Sequence, residues 1–296
     1  MSTHCLQLDL RSPKRNIVWG FEPMDSATEN EHGESLIVTQ NEALTTITIN
    51  RPHRGNAMDA DTSIALIGLI KDLQASGECR SILLRSEGKH FCTGADISSS
   101  KRDTKAPRPT AGHMLRSLAA GPHKLIETLW NCSLPIVAEV KGRTSGMGLH
   151  MALACDYTVC AESASFAEPF VERGFSVDSG GSWLVPRYIG IARAKSLLYR
   201  AQPIDAATAG EWGLVTEVVA DDQLASRSEA IARELGTGAT FAIGVTKSLV
   251  HRSMYTSLED ALVNESYGVE ITIRSDDFKE GMSAFMGKRK PNFEGH

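Results

Sequence analysis

The sequence predicts an α/β core followed by a helical C-terminal region, and three observations carry that prediction. Short β-branched or apolar runs alternate with helical patterns between residues 45 and 140, and the pattern turns helical beyond about residue 203. At 296 residues with 42% hydrophobic content, the chain is also long enough to bury a sizeable core as one large domain or a domain with an appendage.

Taken in order, residues 1–33 are polar, aperiodic and end in the acidic "ENEHGE", which reads as a surface extension or disordered segment. The core, 34–203, opens with the strand "TTITIN" (45–50), followed by a helix over 62–74 and the strand "SILLRS" (81–86). A helix over 114–130 then leads to the strand "PIVAEV" (135–140). Between the second of these strands and the long helix, 98–112 is rich in Ser, Lys and Pro and reads as a lid or disordered loop. The C-terminal region, 204–296, carries helical stretches punctuated by Gly213 and Gly236, with Asp221 and Ser257 as candidate N-caps. A helical tail on an α/β core suggests a packing or oligomerisation module.

Composition excludes several function classes. No run approaches the roughly 18 apolar residues of a membrane span, and residues 1–20 lack the apolar segment of a signal peptide, so the expected setting is the cytoplasm. The six cysteines form no C-x-x-C pair, which argues against a disulfide framework or a zinc site and for buried thiols. A net charge of −5 argues against general nucleic-acid binding; the basic strip at 101–105 reads as a solvated loop.

Two segments read as strand, glycine turn, helix: "KHFCTGADI" (89–97) and "VKGRTSGMGLHMALA" (140–154). Glycine lets a backbone approach a ligand closely, and the first amides of a helix have no intrahelical acceptor. Two such turns facing each other would present N–H groups to a negative oxygen. By pattern alone, His150 on its apolar helix reads as a buried core histidine.

Six motifs occur in a fixed order: "NRPHRGNAMD" (50–59), "FCTGADI" (91–97), "VKGRTSGMGLHMALACD" (140–156), "SFAEPFVERGFSVDSGGSWLVPRYIG" (165–190), "ATAGEWGLV" (207–215) and "EGMSAFMGKRKPNF" (280–293). Over 36–296 the chain therefore resembles the crotonase, or enoyl-CoA hydratase/isomerase, superfamily. The resemblance implies a crotonase-like spiral of ββα units with a C-terminal helical trimerisation region, assembled as a homotrimer or a hexamer of two trimers. It also implies an acyl-CoA thioester substrate and no cofactor beyond the coenzyme A that the substrate carries.

Residue by residue, the family's oxyanion amides fall on Ala95 and Met147. The second is glycine in the pattern, so a Met147 side chain is expected to narrow the pocket while its backbone N–H still donates. The two hydratase glutamates fall on His150 and Phe170, and phenylalanine cannot exchange a proton. The resemblance turns His150 from a core residue into a candidate acid, base or substrate contact. Glu168 and Glu172 read as solvated or structurally paired.

Asp178 stands where plain hydratases have glycine, as in the family's dienoyl-CoA and phenylacetate-pathway isomerases, and implies a proton carrier. The same position carries the nucleophile of the family's dehalogenases, and Asp178 also fits an N-cap for a helix starting near Ser179. The coenzyme contacts implied are Arg54 and Ala57 at the adenine and phosphate end, and Asp96, Ile97 and Ser98 along the pantetheine. Phe285 and Lys288 fall at the nucleotide, from the same chain or a neighbouring subunit. An isomerase using Asp178 with His150 is favoured. A hydratase, lyase or hydrolase using His150, and a non-catalytic acyl-CoA-binding or RNA-binding member, stand as alternatives.

Overall fold

The computed structural model describes residues 34–97 and 110–296, together with the backbone of Arg15–Asn16. The remainder of the 1–33 extension, most of the 98–112 loop, Ser98 and the 101–105 strip lie outside the described residues.

A seven-stranded sheet forms the centre, in the order β1-β2-β3-β4-β5-β7-β10. The pairs of β1 (Arg15–Asn16), β2 (Leu36–Asn41) and β3 (Leu44–Ile49) are antiparallel. From β3 onward, through β4 (Ser81–Ser86), β5 (Ile136–Val140), β7 (Tyr157–Ala161) and β10 (Glu217–Val219), every pairing is parallel. A second sheet of three short strands, in the order β6-β8-β9, combines β6 (Arg143–Ser145), β8 (Ser165–Ala167) and β9 (Ile204–Asp205).

Parallel strands read as continuous apolar runs because both faces are covered, and alternate side chains then serve different layers. Ile82 and Leu84 of β4 and Ile136 and Ala138 of β5 join the main apolar cluster on one face. Leu83 and Val137, from the same strands, face the other way with Leu224, Ile231 and Ala232 of α7 (Leu224–Gly236). A helix and a strand from beyond residue 203 thus belong to the layers of the central sheet.

The strands read at 45–50, 81–86 and 135–140 form within one residue of those bounds. The single helix read over 114–130 is two, α2 (His113–Ala120) and α3 (Pro122–Trp130). Gly121 takes a non-helical φ of −111° and ψ of −95°, and Pro122 begins the second helix where its missing N–H is not needed. Preceding these is α1 (Ala60–Ser76), capped by the Asp59 carboxylate accepting from the Thr62 N–H. Next come α4 (Met147–Ala154) and α5 (Gly181–Arg200), the latter broken at Gly190.

The C-terminal helices are α6 (Ala206–Trp212), α7, α8 (Thr240–Ser253), α9 (Leu258–Thr272) and α10 (Asp276–Met286). Ser257 caps α9 through its hydroxyl, as expected. Asp221 does not cap α7: it opens a short 3-10 turn, and its carboxylate instead accepts from the Ser163 N–H at 3.1 Å.

Among the described residues no helix is long and apolar enough to cross a membrane, and no group of three His, Cys, Asp or Glu is placed to hold a metal. Cys79, Cys92, Cys132, Cys155 and Cys160 are free and buried. Burial holds the Cys132 thiol up to about 11 and pushes Cys92 and Cys160 up to about 12. At pH 8 these five are therefore protonated and inaccessible. An aromatic disulfide reagent is expected to label none of them in the native protein and all of them in denaturant. Native labelling of more than the one remaining cysteine would contradict this packing.

Candidate active site

Two chain reversals meet beside the central sheet. The 91–96 segment bridges Cys92 to Thr144, and the Ser145 N–H donates to the Cys92 carbonyl at 3.0 Å. Gly148, in the first turn of α4, comes so close that a Cβ there would lie 2.2 Å from that same carbonyl oxygen. Glycine is required by this approach. Gly146 supplies the left-handed φ of 52° that turns β6 into α4.

Ala95 is held from the opposite side: the Met58 N–H donates to the Gly94 carbonyl and the Asp96 N–H to the Met58 carbonyl, at 2.9 and 2.8 Å. Peptide groups alternate in extended chain, so the Ala95 N–H points away from Met58. Met147 is the first residue of α4, and its N–H belongs to the first turn, where amides have no intrahelical acceptor. Met147 is 3% exposed, with its side chain packed in the main apolar cluster.

The loop that carries Arg54 and Ala57 is braced from within. Asn56, fully buried with φ of 56°, donates to the carbonyls of Glu87 and His90 at 2.8 and 2.6 Å. Arg51 bridges Asp59 at 2.6 Å and Asp96 at 3.0 Å and donates to the Ala57 carbonyl. The Asp96 carboxylate is thus engaged in holding this loop. A cleft of about 440 Å³ is lined by Arg54, Ala57, Ala95, Asp96 and Ile97. Arg143 and Arg173, which the sequence reading did not single out, line it too. Guanidinium groups around such a cleft suit phosphate oxygens, which they grip through charge-assisted hydrogen bonds.

His150, by contrast, does not open to solvent. It is fully buried, and its Nε2 lies 2.8 Å from Oε1 of an equally buried Glu168. The imidazole stacks parallel to Phe170, with centroids 5.9 Å apart and an interplanar angle of 1°. His150 is thus a paired, enclosed imidazole, as the pattern alone had read. The Glu168 pairing was half legible: the residue read as solvated or structurally paired, and it is paired.

Asp178 sits half-buried in the turn before α5, where its carboxylate accepts from the Ser179 hydroxyl at 2.7 Å. It does not cap that helix. Ser179 and Gly180 adopt left-handed φ of 47° and 82°, and the helix begins at Gly181 with no side-chain cap. Phe285 and Lys288, at the far end of α10, are exposed and do not line the cleft.

Residues 39–296 match the enoyl-CoA hydratase/isomerase family. The chain belongs to this family. It is 34% identical to the 1,2-epoxyphenylacetyl-CoA isomerase of Escherichia coli, over 84% of this chain and 94% of that protein. To a probable enoyl-CoA hydratase of Rhodobacter capsulatus it is 32% identical, over 86% and 95% respectively. The crystal structure of an enoyl-CoA hydratase from Bacillus anthracis superposes with a TM-score of 0.82 at 26% identity, covering 89% of this chain and all of that one. This family member therefore has the α/β crotonase fold with C-terminal helices, and it is an acyl-CoA enzyme of the hydratase/isomerase class.

Proposed function

We propose that the protein is an acyl-CoA isomerase in which Asp178 moves a proton along the acyl chain while the thioester oxygen rests on the N–H groups of Ala95 and Met147. The observation that carries this reading is the loss of the hydratase pair: Phe170 stands at one carboxylate position, and the imidazole at the other is buried against Glu168. Asp178 is then the half-exposed carboxylate at the family's isomerase position. A relative named 1,2-epoxyphenylacetyl-CoA isomerase, an acyl-CoA isomerase by that name, supports it.

Removing a proton next to a thioester puts negative charge on the carbonyl oxygen, and two fixed N–H dipoles stabilise that charge without reorganising. The carboxylate takes the proton from one carbon and returns it to another, so the mass of the substrate does not change. No cofactor is needed beyond the coenzyme A of the substrate, whose phosphates suit Arg54 and the neighbouring Arg143 and Arg173. The large exposed apolar side chains of the C-terminal helices, among them Leu258, Tyr267 and Phe285, suit burial between copies in a trimer or hexamer. In such an assembly Phe285 and Lys288 would serve a neighbour's coenzyme A, and the cytoplasm is the matching setting.

A panel of 2-enoyl, 3-enoyl, dienoyl and aromatic acyl-CoAs, read by thioester absorbance and product mass, tests the reading. A shifted spectrum at unchanged mass is expected. A product heavier by one water would overturn it in favour of a hydratase, the activity for which many relatives are named. Binding with no product from any member of the panel would favour a non-catalytic acyl-CoA binder.

A further inference from the structure

His150 and Glu168 form a fully buried pair of ionisable side chains that the mechanism above does not use. Both side chains are 0% exposed, and the remaining polar atoms, His150 Nδ1 and Glu168 Oε2, have no hydrogen-bond partner among the described residues. Burying two such groups costs more than burying an apolar pair of the same volume, which is often neutral or stabilising in comparison. Stability alone does not call for them.

Their surroundings connect the two halves of the site. Glu168 directly follows β8, whose last residue, Ala167, accepts the Gly146 N–H at 2.9 Å. The same segment therefore grips the start of α4 twice, by its backbone at Gly146 and by the Glu168 side chain at His150, one turn further on. On its other side the imidazole abuts Gly181, where a Cβ would lie 2.2 Å from Nε2 and 2.5 Å from Cε1. The Gly181 N–H in turn donates to the Asp178 carbonyl at 2.9 Å. Phe170 completes the contact, with one face parallel to the imidazole and its ring edge 3.4 Å from a Cβ position at Gly146.

We propose that Glu168 is a positioning residue: by accepting from Nε2–H of His150, it holds the imidazole as a strut that sets the spacing between the Met147 turn and the Asp178 turn. The proposal rests on the reading of Asp178 as the proton carrier. It assigns His150 a mechanical role and no proton transfer.

The test compares Glu168→Gln, Glu168→Leu and Glu168→Asp, by steady-state kinetics and by amide hydrogen exchange of the unliganded protein. The glutamine oxygen still accepts from Nε2–H, so that variant should rescue both readouts to near wild type. In Glu168→Leu the strut is released. Its kcat should fall by about 100-fold, as expected for a displacement of order 1 Å at the reacting groups, with KM little changed. Exchange over 146–151 and 177–183 should rise by about tenfold or more, while β2 and β3 keep their protection.

Glu168→Asp, one methylene short of His150, should show the same two segments loosened, and it decides the matter if the leucine variant does not fold. Unchanged exchange in both segments would overturn the proposal, and so would an equal rise along the whole chain, which marks a purely structural pair. The exchange readout does not depend on the reaction, so it can fail while the Asp178 assignment stands, and the reverse.

Discussion

Replacing Asp178 with asparagine is expected to lower kcat by about 10²–10⁴-fold, the usual contribution of a positioned acid or base. The substitution is isosteric, and its amide oxygen can still accept from the Ser179 hydroxyl that now meets the carboxylate at 2.7 Å. The turn and the start of α5 should therefore persist, and KM should change little. Circular dichroism and thermal melting would establish that the fold is kept. Incorporation of deuterium from solvent into recovered substrate would then locate the defect in proton transfer. If the asparagine variant turns over at the wild-type rate on the substrate identified from the panel, Asp178 has no part in the mechanism.

The second large effect is expected at a glycine. In Gly148→Ala the new methyl would meet the Cys92 carbonyl oxygen at 2.2 Å and its carbon at 2.8 Å, and both are backbone atoms. Neither can rotate away, so the first turn of α4 and the 91–96 segment must separate. Overpacking of this kind typically costs about 1–3 kcal/mol of stability. The larger consequence is for Ala95 and Met147, whose N–H groups ride on the two displaced segments. Loss of one such donor costs about 10²–10³ in kcat, and that is the fall expected here. Gly68→Ala is the matched control. That glycine lies inside α1 with nothing among the described residues within 4 Å of a Cβ, so alanine should stabilise the protein by about 0.5–1 kcal/mol and leave kcat alone. A wild-type kcat in Gly148→Ala would remove the two turns from the site.

Where elements obey local rules, the sequence was readable. The runs at 45–50, 81–86 and 135–140 became β3, β4 and β5 because a strand covered on both faces needs apolar or β-branched side chains at nearly every position. The cap at Ser257 was legible because the bond it makes spans three residues. Misreadings fell where a nearby competitor won. Gly121 and Pro122 divided one helical pattern in two, and Asp221 was claimed by the Ser163 amide from another part of the chain.

The candidate site divided the same way. Glycines at 94, 146 and 148 announced two tight turns because little else fits a left-handed φ or a backbone contact. That Glu168 could be structurally paired was legible, but its partner His150 was not, since that choice depends on the register that sets β8 beside β6. Nothing in the sequence singled out Arg143 and Arg173, which the fold brings to one cleft with Arg54.

By itself, then, the sequence determined the α/β class, the family, and the loss of a carboxylate at Phe170, because each of these is carried by residue identity and local order. Only the tertiary structure decided that Met147 buries its side chain, that Asp96 braces Arg51, and that His150 is enclosed by Glu168, Phe170 and Gly181. The physical reason is range. A turn or a strand answers to its neighbours in the chain, whereas the burial and pairing of a polar side chain are set by segments that meet it only after the sheet has formed.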